Sequence, residues 1–218
     1  MESDILSSLN PAQRAAAESI EGPQLIIAGP GSGKTRVITH RIAYLIRTVG
    51  VSPHRILAVT FTNKAAKEMK ERVHEMLGPG AEGLTLGTFH AICARFLRQE
   101  ADYTNVNSRF VIYDDGDTVN LVTRIMKDLN LDPKQYPPRS IKSVISAAKA
   151  HLIGPNEFAS DSYFEEVAKR IYMRYQKDLI DSNALDFDDL LMQAVILFRD
   201  HKEVLEKYQS RYVHLMID

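Results

Sequence analysis

The feature that most constrains the fold is a glycine-rich segment near the start of this 218-residue chain. An apolar, β-branched run at residues 25–28 leads into three glycines within five residues, then into Lys34 and Thr35, after which the pattern becomes helical. In such a loop consecutive backbone N–H groups surround phosphate oxygens, and the helix N-terminus adds the positive end of its dipole. The segment therefore predicts a strand, a phosphate-binding loop and a helix.

One position departs from the strict phosphate-loop pattern, because Ala28 stands where the pattern begins with glycine. Alanine takes that position without strain only at a negative φ. A glycine-rich surface turn is the alternative, and the strand pattern before the loop and the helical pattern after it favour the phosphate site. In that site Lys34 would contact the β and γ phosphates, and the Thr35 hydroxyl would ligate Mg²⁺.

Composition is that of an ordinary globular protein, with 44% hydrophobic and 25% charged residues. The net charge of −1 argues against a protein held to nucleic acid by bulk charge, but it is compatible with a local basic strip. The single cysteine, Cys93, excludes an intrachain disulfide and a zinc ribbon. The acidic N-terminus and the lack of an apolar run of roughly 20 residues lead us to expect a cytoplasmic protein with no membrane contact.

Strand and helix patterns alternate through the first hundred residues. The apolar runs at residues 56–61 and 84–89 predict buried strands, and each is followed by a helical pattern. Thr62 or Asn63 would cap the first of these helices. Such repeats predict an α/β fold with a parallel sheet and right-handed crossovers.

From about residue 105 the character changes, because after the apolar run at residues 110–113 no convincing buried strand follows and the patterns are helical throughout. They predict helices at residues 117–130, 139–151, 163–180 and 188–200, as in an inserted helical subdomain. Residues 212–217 are strand-like again and are followed by Asp218. A carboxylate at the C-terminal end of a strand beside a phosphate loop is what an Mg²⁺ site of this kind requires, whereas an exposed chain end is the alternative.

Small polar residues and an aromatic follow each of the two predicted strands, at residues 60–63 and 87–90. Parallel α/β sheets bind ligands at this edge. Hydroxyl and amide groups can hold phosphates, and an aromatic face can stack on a base of single-stranded nucleic acid. Core packing is the alternative for either phenylalanine.

Two charged groups lie within the helical part. Residues 133–156 contain no Asp or Glu, and helical spacing places Arg139, Lys142 and Lys149 on one face, which can contact phosphates or remain a solvated surface. Three acids at residues 186–189 suit a helix start, where negative charge is favourable, and a metal site is the alternative.

Taken together, these segments resemble the motifs of the UvrD/PcrA/Rep group of superfamily 1 DNA helicases, and the resemblance spans essentially the whole chain. Its Q motif is matched by residues 9–13, motif I by 28–36, motif Ia by 60–69, motif Ib by 85–90, and the segment returning from the helical insertion by 185–190. Because this family commonly has alanine at the first place of motif I, Ala28 is no defect.

The resemblance implies a fold and a set of site residues. The fold would be a RecA-like P-loop NTPase domain (1A) at residues 1–108 and 188–218, with an all-helical domain (1B) inserted at residues 109–187. Catalysis would rest on Lys34, Thr35 and Asp218, the last two holding Mg²⁺. ATP would be bound by Gln13, which reads adenine, and by Ala28, Gly29, Pro30, Gly31, Ser32, Gly33, Lys34, Thr35 and Arg36. DNA would be bound by Phe61, Thr62, Asn63, Thr88, His90 and Phe187, and we add Arg139, Lys142 and Lys149 from charge alone.

By the same resemblance the parent protein would be an ATP-dependent helicase that moves 3′ to 5′ on single-stranded DNA and opens junctions with duplex. Repair or replication proteins would be further partners. In the family a Glu follows the aspartate that matches Asp218, and a second RecA-like domain follows later, so we expect an inactive fragment. An ATP- or DNA-binding module without turnover, a helicase subunit of a helicase-nuclease and a small P-loop phosphotransferase are the alternatives.

Overall fold

The structure, a computed structural model, describes residues 5–218. The chain divides into two compact units, one of residues up to Ile92 together with Glu206–Asp218, and the other of Cys93–Leu205. These limits differ from the sequence-based domain limits at residues 108 and 187, which stay predictions. Among the described residues no helix is both long and apolar enough to cross a membrane.

The first unit is built around a three-stranded parallel sheet with the order β2-β1-β5. Its elements are α1 (Pro11–Glu18), α2 (Lys34–Arg47), β1 (Ile56–Thr60), α3 (Asn63–Leu77), β2 (Thr85–Thr88), the start of α4 (Phe89–Gln99), the end of α9 (Lys202–Arg211) and β5 (His214–Ile217). In the register of the sheet, Thr60 on β1 faces Thr88 on β2, and Val59 faces Ile217 on β5. The predicted parallel α/β sheet is confirmed.

Apolar side chains from α2, α3 and the sheet form the core of this unit. Ile42 of α2, Met69 of α3 and Ile56 of β1 are fully buried together. All five residues of β1 are buried, as expected for a central strand with both faces covered. Thr62 caps α3 by accepting a hydrogen bond from the Ala65 N–H at 3.1 Å, which decides between the two predicted capping residues.

The strand predicted at residues 25–28 does not form. Residues 23–29 have no strand assignment, and Leu25 and Ile27 are 85% and 89% exposed. A strand requires hydrogen bonds from a neighbour, and within the described residues the sheet runs β2-β1-β5 without a partner for this segment. The strand prediction for this apolar run is therefore wrong.

The second unit is mostly helical. It contains the rest of α4 and of α9, together with β3 (Val111–Tyr113), α5 (Asp115–Asp128), α6 (Pro138–Ala150), α7 (Tyr163–Asp181), β4 (Ala184–Asp186) and α8 (Phe187–Asp200). The prediction of an all-helical insertion is wrong in one respect, because β3 and β4 pair in parallel. Three-residue strands are too short to show an alternating pattern, so the sequence did not reveal β4.

The core of the second unit is formed by side chains of α5, α6 and α7. Ile125, Ile141 and Ile171 are fully buried in it, and Tyr172 and Tyr175 are the largest side chains at its centre. Helical spacing in the sequence predicted α6 and α7 to within one residue at each end. The apolar face of each helix thus lies inward, as amphipathic helices require.

We expect Met69→Ala to lower the free energy of unfolding of the first unit by about 2–5 kcal/mol, because a fully buried side chain is replaced by a cavity. The neighbouring exposed residue gives a matched control, since Lys70→Ala should change stability by less than about 0.5 kcal/mol. Native-state hydrogen exchange of the β1 amides reports this unit separately. Equal protection of β1 in the two variants would contradict the assignment of this core.

Candidate functional site

The glycine-rich loop folds into a turn that ends at the first residue of α2. Gly31 and Gly33 adopt φ angles of +74° and +87°, which L side chains rarely adopt, and Gly33 is the N-cap residue of α2. A Cβ atom built on Gly33 would lie 3.0 Å from the side-chain nitrogen of Gln13. The first N–H groups of α2 have no acceptor within the helix and carry the positive end of its dipole, so this turn can receive an anion.

Lys34 folds back over the loop. Its Nζ donates hydrogen bonds to the carbonyl oxygens of Ala28 and Gly29, both at 2.9 Å. The Ser32 hydroxyl donates to the same Gly29 carbonyl at 2.7 Å. The ammonium group is thus held at the mouth of the loop, where a bound phosphate would offer oxygens with a stronger, charge-assisted hydrogen bond.

Gln13 connects α1 to the loop. Its side-chain oxygen accepts from the Asn10 N–H at 3.1 Å, and Asn10 accepts in return from the Gln13 N–H at 2.9 Å, which completes a capping box at the start of α1. The side-chain nitrogen of Gln13 donates to the Ser32 carbonyl at 3.0 Å. The structure thus places Gln13 against the loop, with one amide hydrogen still available for a ligand.

The strand β5 brings Asp218 to the loop. The Asp218 N–H donates to the Val59 carbonyl at 2.9 Å, which extends the pairing of β5 with β1 by one residue. The Thr35 hydroxyl then donates to Asp218 Oδ2 at 2.6 Å. A hydroxyl and a carboxylate side by side are hard oxygen ligands of the kind that Mg²⁺ prefers, so the two residues fit that metal.

A cleft of about 380 Å³ lies beside these groups in the first unit. Lys34 and Asp218 line it together with residues 22–26, Ile38, Arg41 and residues 215–217. Arg41 fixes one wall, because its guanidinium donates to the carbonyls of Ala16 and Ser19 and to the Gln24 side chain. Burial lowers the pKa of Arg41. Arg36, predicted within the loop motif, donates to the Ser8 carbonyl at 2.9 Å.

The residues predicted to meet DNA in the first unit lie at the same edge of the sheet. Because Thr60 and Thr88 are paired in register, the residues after them leave the sheet side by side. Phe61 is 81% exposed, and Thr62 and Asn63 are exposed beside it. Thr88 is buried and its hydroxyl accepts from the Ala91 N–H at 3.3 Å, so it caps the start of α4.

The predicted basic face of α6 is only partly basic in the structure. Arg139 lies 3.4 Å and Lys142 lies 3.3 Å from the carboxylate of Asp115, on α5. The side chain of Arg139 is 79% exposed. One acid from a neighbouring helix therefore compensates two of the three cations, which the lack of acids within residues 133–156 did not reveal.

Lys149 does not lie on this surface, and its prediction as a DNA contact is wrong. Its side chain is fully buried, and its Nζ lies 2.8 Å from both Asp186 Oδ2 and Asp189 Oδ1. The Tyr175 hydroxyl donates to Asp186 Oδ2 at 2.8 Å, and the Nζ lies 5.1 Å from the centre of the Tyr175 ring. A buried ammonium requires such partners, and only the tertiary fold supplies them.

The acids at the start of α8 are thereby explained without a metal. Asp186 and Asp189 form a capping box, in which Asp186 accepts from the Asp189 N–H at 2.7 Å. Among the described residues, no group of three or more His, Cys, Asp or Glu side chains could hold a metal ion. Two sequence features together could have indicated this ion cluster. One is the acidic helix start at residues 186–189, and the other is the lysine between two alanines at residues 148–150.

The two buried carboxylates titrate differently. Burial raises the pKa of Asp189 to about 6, although Lys149 opposes the rise. Burial acts in the same sense on Asp186, but the Lys149 charge and the hydrogen bonds from Lys149 and Tyr175 lower its pKa below its usual value. Asp186 thus keeps its negative charge more readily than Asp189 does, 2.8 Å from the Lys149 ammonium.

The remaining predicted residues are exposed to different degrees. Phe187, the first residue of α8, is 49% exposed. His90, in the first unit, is half-buried. Burial raises the pKa of the Cys93 thiol to about 11, so the thiol stays protonated and unreactive.

The parallel sheet, the glycine-rich loop opening a helix and the carboxylate at the end of the neighbouring strand are together typical of P-loop NTPases with a RecA-like fold. The model of one protein family, described as the UvrD/REP helicase N-terminal domain, matches residues 9–218. The chain therefore belongs to the UvrD/REP helicase family.

Curated relatives agree with the family match. The chain is 48% identical over 216 residues to the ATP-dependent DNA helicase PcrA of Bacillus subtilis (strain 168), 43% identical over 216 residues to that of Staphylococcus aureus (strain Mu50 / ATCC 700699), and 42% identical over 217 residues to that of Leuconostoc citreum. Each match covers 98% of this chain and 29–30% of the relative. The chain thus spans about three tenths of the length of these relatives.

We expect Asp189→Asn to change how stability depends on pH. Since folding raises the pKa of Asp189, this group stabilises the fold fully below about pH 4, and the contribution is lost as pH rises through about 6. Urea unfolding between pH 4.5 and 7.5 should therefore show the variant gaining stability relative to the unchanged chain as pH rises.

Asp200→Asn is the control for this titration. A hydrogen bond from Arg199 lowers the pKa of Asp200, so the difference that this variant makes should appear only at more acid pH and with the opposite sign. Parallel pH profiles for Asp189→Asn and the unchanged chain would show that Asp189 does not titrate as described.

Proposed function

We propose that this chain is the ATP- and DNA-binding N-terminal part of a helicase that moves 3′ to 5′ on single-stranded DNA. The observation that carries the proposal is the hydrogen bond from Thr35 to Asp218, because it joins the loop that would hold phosphates to the carboxylate that would hold their metal ion. The relatives are ATP-dependent DNA helicases by name, which supports the same function for the parent protein.

The loop residues would bind the nucleotide phosphates. The first N–H groups of α2 and the turn at Gly31 and Gly33 offer hydrogen bonds without side-chain obstruction. Lys34 would exchange the carbonyls of Ala28 and Gly29 for phosphate oxygens, which is favourable because the new bonds join opposite charges. Gln13, already bonded to the loop, would read the adenine edge with its remaining hydrogen-bonding capacity.

Thr35 and Asp218 are the residues that would hold Mg²⁺. When bound, Mg²⁺ neutralises charge on the phosphate oxygens during phosphoryl transfer. Asp218 is positioned for this by its own backbone, since its N–H continues the β1–β5 ladder. The hydroxyl of Thr35 is positioned by the first turn of α2.

Single-stranded DNA would be bound at the C-terminal edge of the sheet by Phe61, Thr62, Asn63, Thr88 and His90. Phe61 is the main support for this site, because its side chain is 81% exposed. So exposed a ring contributes little burial to the stability of the fold and offers a face for stacking on a base. In the second unit Phe187, Arg139 and Lys142 remain proposed contacts. Lys149 is not among the proposed DNA contacts, since it is buried and paired with two carboxylates.

We expect Lys34→Ala in the full-length protein to lower DNA-stimulated ATP turnover roughly 10²- to 10³-fold, because a positioned cation on the transferring phosphate is lost. The matched control is Lys67→Ala, which removes an exposed lysine 3.9 Å from Glu71 on α3 and should leave turnover unchanged. Turnover is measured by phosphate release with and without single-stranded DNA. An unaltered rate in Lys34→Ala would refute the assignment of the loop.

We expect Phe61→Ala in the 218-residue chain to weaken binding of a labelled single-stranded oligonucleotide about 5- to 150-fold, the range for loss of one base-stacking contact. Since stacking carries no charge, the loss should be the same at every salt concentration, and the slope of log affinity against log salt should not change. Fluorescence anisotropy over a salt series measures both quantities.

Tyr163→Ala serves as the control for exposed aromatics, because Tyr163 is 69% exposed and is not among the proposed DNA contacts. Its affinity for the oligonucleotide should match that of the unchanged chain. If both variants bind as the unchanged chain does, Phe61 is not a DNA contact.

A further inference from the structure

Phe187 stands between two aspartates that are each held by α6. Asp186 accepts from Lys149 Nζ at 2.8 Å, and Asp188 accepts from the Ser146 hydroxyl at 2.7 Å. Phe187 itself is the first residue of α8 and is 49% exposed. The exposed ring is therefore carried by a backbone whose neighbouring side chains on both sides are fixed.

These contacts form one device, which we call the α6–α8 clamp and which consists of Ser146, Lys149, Asp186, Asp188 and Asp189. Ser146 and Lys149 are three residues apart and lie on the same side of α6. Ser146 holds Asp188, whereas Lys149 holds Asp186 and Asp189 together. Two side chains on one face of α6 thus contact three aspartates at the start of α8, which are Asp186, Asp188 and Asp189.

We propose that the α6–α8 clamp is a positioning device that fixes the orientation of Phe187 for stacking on a base of single-stranded DNA. The inference rests on the proposed DNA contact of Phe187. In it Ser146 and Lys149 are positioning residues, which touch no DNA and act through the first turn of α8.

The physical reason lies in helix geometry. Each residue turns an α-helix by about 100°, so a small rotation of the first turn of α8 would redirect Phe187. Any such rotation would break the hydrogen bonds at Asp186, Asp188 and Asp189 together, two of them within a buried ion cluster. A ring that is already oriented loses less conformational entropy on binding, and this preorganisation raises affinity.

The test uses a tryptophan reporter, because the sequence contains no tryptophan. Phe187→Trp in the 218-residue chain therefore places the one tryptophan of the variant at residue 187. Time-resolved fluorescence anisotropy then measures how freely the ring moves, and quenching by a single-stranded oligonucleotide measures its contact with bases. Thermal unfolding of every variant is followed by circular dichroism in parallel.

Ser146→Ala, added to the reporter chain, removes one point of the clamp. We expect a larger amplitude of fast ring motion and an affinity for the oligonucleotide about 2- to 10-fold lower, the range for immobilising one side chain on binding. Ser143→Ala is the matched control on the same helix, because the Ser143 hydroxyl donates to the Arg139 carbonyl of its own helix at 2.9 Å. It should change neither quantity.

Two substitutions of Asp188 distinguish an effect on the position of the ring from an effect of the lost negative charge. Asp188→Asn keeps an oxygen that can accept from Ser146, whereas Asp188→Ala removes it, and both variants remove the negative charge. We expect free ring motion in Asp188→Ala and restricted motion in Asp188→Asn. A role in general stability alone would lower the unfolding temperature without separating these two variants.

Two results would overturn the inference, and they are distinguishable. If the oligonucleotide quenches the reporter but Ser146→Ala behaves as Ser143→Ala does, the clamp does not position Phe187, while the proposed DNA contact stands. If the oligonucleotide leaves the reporter unquenched in the otherwise unchanged chain, Phe187 is not a DNA contact and the clamp has no such role.

Discussion

The parallel pairing of β1 with β5 is the interaction on which the candidate nucleotide site depends. Its register aligns Val59 with Ile217, so that Asp218 follows at the C-terminal edge of the sheet. The pairing of β1 with β2 aligns Thr60 with Thr88 at the same edge. The backbone hydrogen bonds of the sheet therefore bring Asp218 and the exposed residues after β1 to a common edge, as ligand sites of parallel sheets require.

The second unit contains a cluster of charged side chains within its helical core. The cluster contains the Lys149 ammonium and the Asp186 carboxylate, which have opposite charges. It also contains the Asp189 carboxyl group, whose pKa is raised to about 6 by burial. Apolar residues of similar volume would often stabilise a core as well as such a cluster does. The charged groups also join α6 to the start of α8 through directional contacts, at Asp186, Asp188 and Asp189.

Local sequence signals predicted what is local in this structure. The loop before Lys34, the helix that follows it and the Thr62 cap depend on residues within a few positions of each other, and the sequence revealed all three. The predictions of a strand at residues 25–28 and of an exposed Lys149 were wrong, because both depend on partners distant in the chain. The parallel pair of β3 and β4 was missed because β4, with three residues, is too short to show an alternating pattern.

The bond between Thr35 and Asp218 has a consequence for the order in which the chain acquires its structure. The two residues are 183 positions apart, and ribosomes release the N-terminal residue first. During synthesis the loop and α2 emerge long before β5, while the helices of the intervening unit can already form from local contacts. In a nascent chain Thr35 and the glycine-rich loop therefore lack the contact with Asp218 until β5 has emerged and paired with β1.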